Sequence, residues 1–184
     1  PLPSSVKHVI IDIGLYNSIV TPQAGEFVIA VDASLREIEA SKLSTRCETL
    51  GSCLLISAAV GSSTHPFVNL QQSQRSGGSS HITNFDSAIW PMEMRPAVVP
   101  LISLKTLIDA VPRNIPIILC KTDTNGNDGA VLHSAGASLR RCLLIIMEIV
   151  GPRDGTGPPD QYETAIEVTR KCGFRLDPRY SGVK

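Results

Sequence analysis

IPIILCKTDTNGNDGAVLHSAGASLRRCLLIIMEIV, residues 115–150, decides how the chain is read. It opens on an apolar run, Ile115–Cys120, and passes through a polar cluster, Lys121–Asp128. After a helix-compatible segment it reaches a second apolar run, Leu143–Ile146, and closes on Glu148. Short, Ile-rich runs bounded by polar turns suit strands covered on both faces of a parallel sheet. Two such strands joined by about a dozen helix-compatible residues predict a βαβ unit. In open α/β sheets, ligands collect beyond the carboxyl ends of the strands. Lys121, Asp123 and Glu148 stand at such ends.

The amino-terminal part repeats the pattern. Val6–Gly14 is an apolar run closed by Asp12 and Gly14, and Phe27–Asp32 is another closed by an acid. A strand ending in Asp-x-Gly, followed about 20 residues later by a second strand ending in an acid, is the layout of a nucleoside-binding half-sheet. The glycine lets the backbone approach a ligand closely. The two oxygens of Asp32 can accept from both ribose hydroxyls. Only LYNSIVTPQAGE, residues 15–26, separates these strands. Pro22 is unfavourable inside a helix, so the first crossover helix is expected to be shortened or replaced by a loop.

Ser34–Leu43 reads as a helix capped by Ser34, with Leu35, Ile38 and Leu43 near one face. Cys53–Val60 reads as a third buried strand. Gln71–Ser80 is polar and Gly/Ser-rich, which predicts a loop. Ser87–Pro100 carries Trp90, Met92 and Met94, read as core filler or as a grip for an apolar substrate. Leu104, Leu107 and Ile108 make a helical stripe. Residues 151–160, GPRDGTGPPD, lack the Gly-Lys-Ser/Thr of a phosphate loop. Tyr162–Cys172 is helical by pattern and stops at Gly173. Phe174–Leu176 then reads as the start of a last strand.

The 184 residues form one expected domain, 1–184, long enough to bury a sizeable core. Hydrophobic residues make up 42% and charged residues 18%, with 17 basic against 17 acidic. A net charge of zero without runs of either sign argues against nucleic-acid and membrane-surface partners. No apolar run approaches the roughly 20 residues that span a bilayer. The start, PLPSSVKHVI, has no signal-peptide pattern, so a trimmed or processed chain is expected. Five cysteines without C-x-x-C spacing read as buried free thiols, which favours a reducing, cytoplasmic setting. His8, His65, His81 and His133 are scattered without zinc-ligand spacing. There is no G-x-S-x-G elbow of a hydrolase.

The organising stretch also resembles the signature of the FkbM-type methyltransferases, a branch of the S-adenosylmethionine-dependent class. That signature reads K-[IV]-D-[VT]-E-G-x-E, then V-L-x-G-A, an amphipathic helix and a strand ending in Glu. Here stand Lys121-Thr-Asp123-Thr-Asn125-Gly126-Asn127-Asp128, then Val131-Leu132-His133-Ser134-Ala135, then Glu148. Asn125 and Asp128 replace two glutamates, and Ser134 replaces a glycine. Upstream, Asp12, Gly14 and Asp32 fall on the family's D-x-G-A-N-x-G and F-E-P positions, with Leu15, Tyr16, Asn17 and Ser18 differing between them. AAVGSSTHPFVNL resembles the family's A-A-V-G and the strand after it, and Ser103-Leu104-Lys105 stands where T-L-D is usual.

The likeness runs from Val9 to Leu176. It implies an α/β, Rossmann-like methyltransferase fold: a mostly parallel central sheet with helices on both faces. It further implies S-adenosylmethionine as cofactor, held by Asp12, Gly14, Tyr16, Asp32, Ser57 and Ala58, and a small-molecule or sugar hydroxyl as acceptor.

Methyl transfer needs the acceptor oxygen positioned and relieved of its proton. Lys121, Asp123 and Glu148 are the candidates, Lys121 through a pKa lowered by burial. Lys121 can equally pair with Asp123 or Asp128 as a structural ion pair. Asp123 and Glu148, with Asn125 or Asp128, also make an oxygen set of the kind hard divalent ions favour, although no metal is expected. Two other classes stay open. A degenerate member acting as a binding or interaction scaffold fits Asn125, Ser18 and the short crossover. An NAD-dependent oxidoreductase fits the strand-then-acid layout, but Asp-x-Gly without further glycines cradles a pyrophosphate poorly.

Overall fold

The computed structural model describes residues 2–15, 19–45, 51–62, 64–73, 81–82, 94–124, 126–148 and 160–177. In chain order its elements are β1 (His8–Ile13), β2 (Glu26–Asp32), α1 (Leu35–Thr45), β3 (Cys53–Ser57), β4 (Ala59–Val60), β5 (Phe67–Ser73) and β6 (His81–Ile82). There follow β7 (Met94–Ile102), α2 (Leu104–Ala110), β8 (Ile117–Thr122), α3 (Asp128–His133), a 3-10 turn at Gly136–Arg141, β9 (Ile145–Met147) and α4 (Asp160–Lys171).

Strands β1 and β2 are apolar on both sides, and their side chains sort by period two as a pleated strand requires. Val9, Ile11 and Ile13 join Phe27, Ile29 and Val31 in one core, while Ile10 joins Val28 and Ala30 in another. The first core is roofed by α2, α3, the 3-10 turn and α4 through Leu104, Ile108, Val131, Leu132, Leu139 and Ala165. The second is roofed by Ile38 of α1 and by Leu15 and Ile19 of the β1–β2 connection. Helices therefore cover both faces of a five-stranded parallel sheet in the order β3-β2-β1-β8-β9. The architecture is α/β and compatible with a Rossmann-like fold. The order reverses between β1 and β8, which makes that pair the topological switch point.

Between β1 and β2 the described residues carry no helix. Leu15 and Ile19 put their side chains where a crossover helix would put its own, so a loop covers the sheet there. The expected third strand also divides. It breaks at Ala58 into β3, paired with β2, and β4, paired with β7 in a second sheet of order β4-β7-β5-β6. This second sheet packs Ala59, Leu70 and Val99 against Ala33, just beyond the end of β2.

Four expectations need correction. Leu35 is 57% exposed, because α1 turns Glu37 and Ser41 inward beside Ile38, which is buried as expected. Gln71–Ser73 extend β5 rather than starting a loop, since they pair with Met94–Pro96. Phe174–Leu176 form no strand. Cys53 is disulfide-bonded, with its partner outside the described residues, whereas Cys120, Cys142 and Cys172 are free thiols as read. Cys53 opens β3, an edge strand of the parallel sheet, and packs in the second core. Trp90 and Met92 lie outside the described residues. Among the described residues no helix is long and apolar enough to cross a membrane.

Arg141 closes the roof over the first core. Its guanidinium donates to the carbonyls of Ile108 (2.5 Å), Val111 (2.9 Å) and Pro112 (3.0 Å), which are orphaned where α2 ends. Charge-assisted bonds of this kind are the stronger ones, so Arg141→Ala is expected to lower the unfolding free energy by about 2 kcal/mol in a urea titration.

Candidate functional site at the carboxyl edge of the sheet

Asp12 and Lys121 face each other across the switch point, as register partners on β1 and β8. Lys121 Nζ lies 3.0 Å from Asp12 Oδ1 and 3.9 Å from Asp123 Oδ2, and donates at 3.4 Å to the Gly14 carbonyl. Of the ion pairs read from sequence, Lys121 with Asp123 is present, but the nearer partner is Asp12, which the sequence reading did not pair with it. Asp12 is 1% exposed, and its second oxygen accepts the Val20 N–H at 2.8 Å. Asp32 ends β2 and serves the same connection. Its Oδ2 accepts from Leu15 N and its Oδ1 from Ser34 N, each at 2.6 Å. Burial pushes the Asp32 carboxyl up to about 6 against the pull of those two N–H donors, and the charges of Glu37 and Asp12 add to the rise.

Gly14 adopts φ +80°, and a Cβ there would sit 1.8 Å from the Asp123 carbonyl oxygen. The glycine thus allows a close approach of backbone to backbone, β1 end against β8 end. The neighbouring bonds agree: Asp123 N donates to Ile13 O (2.8 Å) and Gly14 N to Val31 O (2.9 Å).

Glu148 is placed beside Asp123 by its own N–H, which donates to Thr122 O at 2.9 Å. A hydrogen bond with the Asp123 carboxyl, then partial burial and the charges of Asp123 and Asp128, lift Glu148 to about 7, with Lys121 pulling down. Asp128, at the start of α3, is also raised, chiefly by burial, with the Thr122 and Thr124 side chains opposing.

Asp12, Asp32 and Asp123 therefore meet at one edge of one parallel sheet, together with Lys121 and Glu148. Ser57 pairs with Asp32 across β2 and β3 and lies at the same edge. Ala58 does not line an open crevice with its side chain, because it is 3% exposed and packs in the first core, its N–H donating to Asp32 O. Tyr16 and Asn125 lie outside the described residues. No group of three or more metal-ligating side chains is arranged to hold an ion among the described residues.

A groove of about 400 Å³ runs between the turn after β4 and the end of β7, lined on one side by Gly61, Ser62 and Thr64–Pro66 and on the other by Leu101–Ser103. Sequence reading did not single out these residues as a site. The available signal was a polar turn directly after an apolar run, the place where ligands collect in α/β sheets.

No family model matches the chain, and neither the curated proteins nor the solved structures yield a match.

Two consequences of the partly buried ion pair and of Asp32 are measurable. Removing one partner of such a pair leaves a charge stranded, so Lys121→Met is expected to lower stability by about 3–5 kcal/mol, with Asp12→Asn added to it recovering more than half. The Asp32 carboxyl binds its proton more tightly folded than unfolded, so folding gains stability as pH falls through about 6 and loses it as pH rises. Between pH 5 and 8 this amounts to about 1 kcal/mol, and Asp32→Asn is expected to remove that part of the pH dependence in urea titrations.

Proposed function

We propose that the chain is an S-adenosylmethionine-dependent methyltransferase of the FkbM type, acting on a hydroxyl of a small molecule or sugar. The observation that carries this reading is the convergence of Asp12, Asp32, Asp123 and Glu148 with Lys121 at the switch point of a parallel sheet. The residues fit the cofactor. Each Asp32 oxygen accepts one main-chain N–H, which leaves a lone pair on each for the two ribose hydroxyls. Several carboxyls around one ammonium attract a sulfonium cation and repel a pyrophosphate, which disfavours the dinucleotide alternative. Bound there, the cofactor would supply an electrophilic methyl group.

The chain's own residues would then handle the proton. Glu148, raised to about 7 beside Asp123, can in its deprotonated form accept the proton of an acceptor hydroxyl. Lys121 holds Asp123 beside it and keeps part of the site's charge balanced.

A second reading, a degenerate member serving as a binding or interaction scaffold, is favoured by one observation. Leu15, Val20 and Ser34 already donate to the strand-end acids, and Gly14 is closed onto Asp123. Titration calorimetry with S-adenosylmethionine and S-adenosylhomocysteine separates the two. Catalytic competence calls for binding of both, weakened at least tenfold by Asp32→Ala, which corresponds to about 1.4 kcal/mol. No heat at millimolar ligand leaves the scaffold.

A further inference from the structure

We propose that the outer edge of β9 is a self-association surface, on which a second copy of this chain lays its own β9 antiparallel and continues the sheet. Strand β9 ends the order β3-β2-β1-β8-β9, so β8 is its one strand neighbour among the described residues. The ladder to β8 runs through Leu144 O, which accepts from Cys120 N, and Glu148 N, which donates to Thr122 O, each at 2.9 Å. With Cys120 paired to Ile145 and Thr122 to Met147, the N–H and C=O groups of Ile145 and Met147 point away from β8. An edge of that kind is a template for another strand.

The side chains add to the attraction. Ile145 and Met147 pack against the first core, and period two sends Leu144 and Ile146 to the other face. There Leu144 is 51% and Ile146 50% exposed, with Leu143 nearby at 68%. Charged residues and prolines are the usual guards of an exposed edge, and Leu143–Met147 contains neither.

Charge and symmetry select the occupant. Arg140 and Arg141 stand before the strand and Glu148 after it. Both guanidiniums rest on main-chain carbonyls, contacts that leave their positive charge without an acid. Antiparallel copies bring the basic start of each β9 to the acidic end of the other, whereas a parallel pairing would set like charges together. A two-fold axis at Ile145 makes the edge complementary to itself. Each Ile145 then exchanges main-chain hydrogen bonds with its counterpart, and Leu144 of either copy lies opposite Ile146 of the other. Nothing in this pairing involves the cofactor, so it stands or falls apart from the methyltransferase reading.

Sedimentation velocity on the full chain tests the pairing. The wild type should sediment at twice the chain mass, and Ile146→Lys should weaken the dimer at least tenfold. Leu54→Lys puts the same charge on the opposite edge strand, at a leucine of similar exposure (48%), and should leave the dimer intact. Circular dichroism checks that both variants are folded. Disulfide formation reads the alignment without relying on either lysine variant. Directly opposite residues that share no main-chain bonds come within disulfide reach, so a mixture of Leu144→Cys and Ile146→Cys treated with glutathione disulfide should yield a cross-linked pair with one of each. A monomeric wild type, a dimer that survives Ile146→Lys, a dimer lost equally in Leu54→Lys, or no more cross-linking in the mixture than in either variant alone would overturn the proposal.

Discussion

The contact on which the rest of the molecule depends is the partly buried pair of Asp12 and Lys121. It joins the two strands between which the sheet order reverses, and each member does more than balance the other's charge. Asp12 also takes the Val20 N–H, and Lys121 reaches the Gly14 carbonyl and Asp123. A pair of this kind is weak evidence for stability, because desolvation offsets most of the attraction. Its physical effect is on register. A one-residue slip of β8 against β1 would turn Lys121 to the opposite face and leave Asp12 stranded, so only one pairing is tolerable.

The same acids explain how two parallel strands are joined with so little chain between them. Parallel neighbours are ordinarily linked through a helix that supplies both the return path and the roof. Here Leu15 and Ile19 supply the roof, and the carboxylates of Asp32 and Asp12 supply fixed acceptors for Leu15 N and Val20 N, which a helix would have satisfied internally. The carboxylates proposed to hold a nucleoside are therefore structural. That dual use sets catalytic and scaffold readings of the edge against each other on shared atoms.

Much of the sheet was legible in the residues, because β1, β2 and β8 are apolar runs that end in charge. The acids at their ends were legible for the same reason. Their partners were not, since Leu15, Val20 and Ser34 contribute main-chain N–H groups that no side chain announces. The break at Ala58 was hidden inside the continuous run CLLISAAV, where only the arrival of β7 decides which residues pair with which sheet. Hydrophobic spacing placed Ile38 of α1 correctly but not Leu35, because the buried row also holds the polar Glu37 and Ser41. Phe174–Leu176 carried strand-like residues, but a strand is a relation between segments rather than a property of one. Cys53 looked like the other core thiols, and its bond depends on a neighbour that spacing does not reveal.

The pairing of β1 with β8 joins Asp12 to a residue 109 positions further along. On a ribosome, which adds roughly 5–20 residues per second, β1 therefore waits several seconds or more for its partner. Until then one side of the central strand has open main-chain groups and bare isoleucines, with an acid near its tip that has no counter-ion. The nascent chain can close the β1–β2–β3 half first, but its middle remains a template for any passing strand. Newly made molecules thus pass through an adhesive adolescence whose length is set by translation speed, and which ends when the lysine emerges.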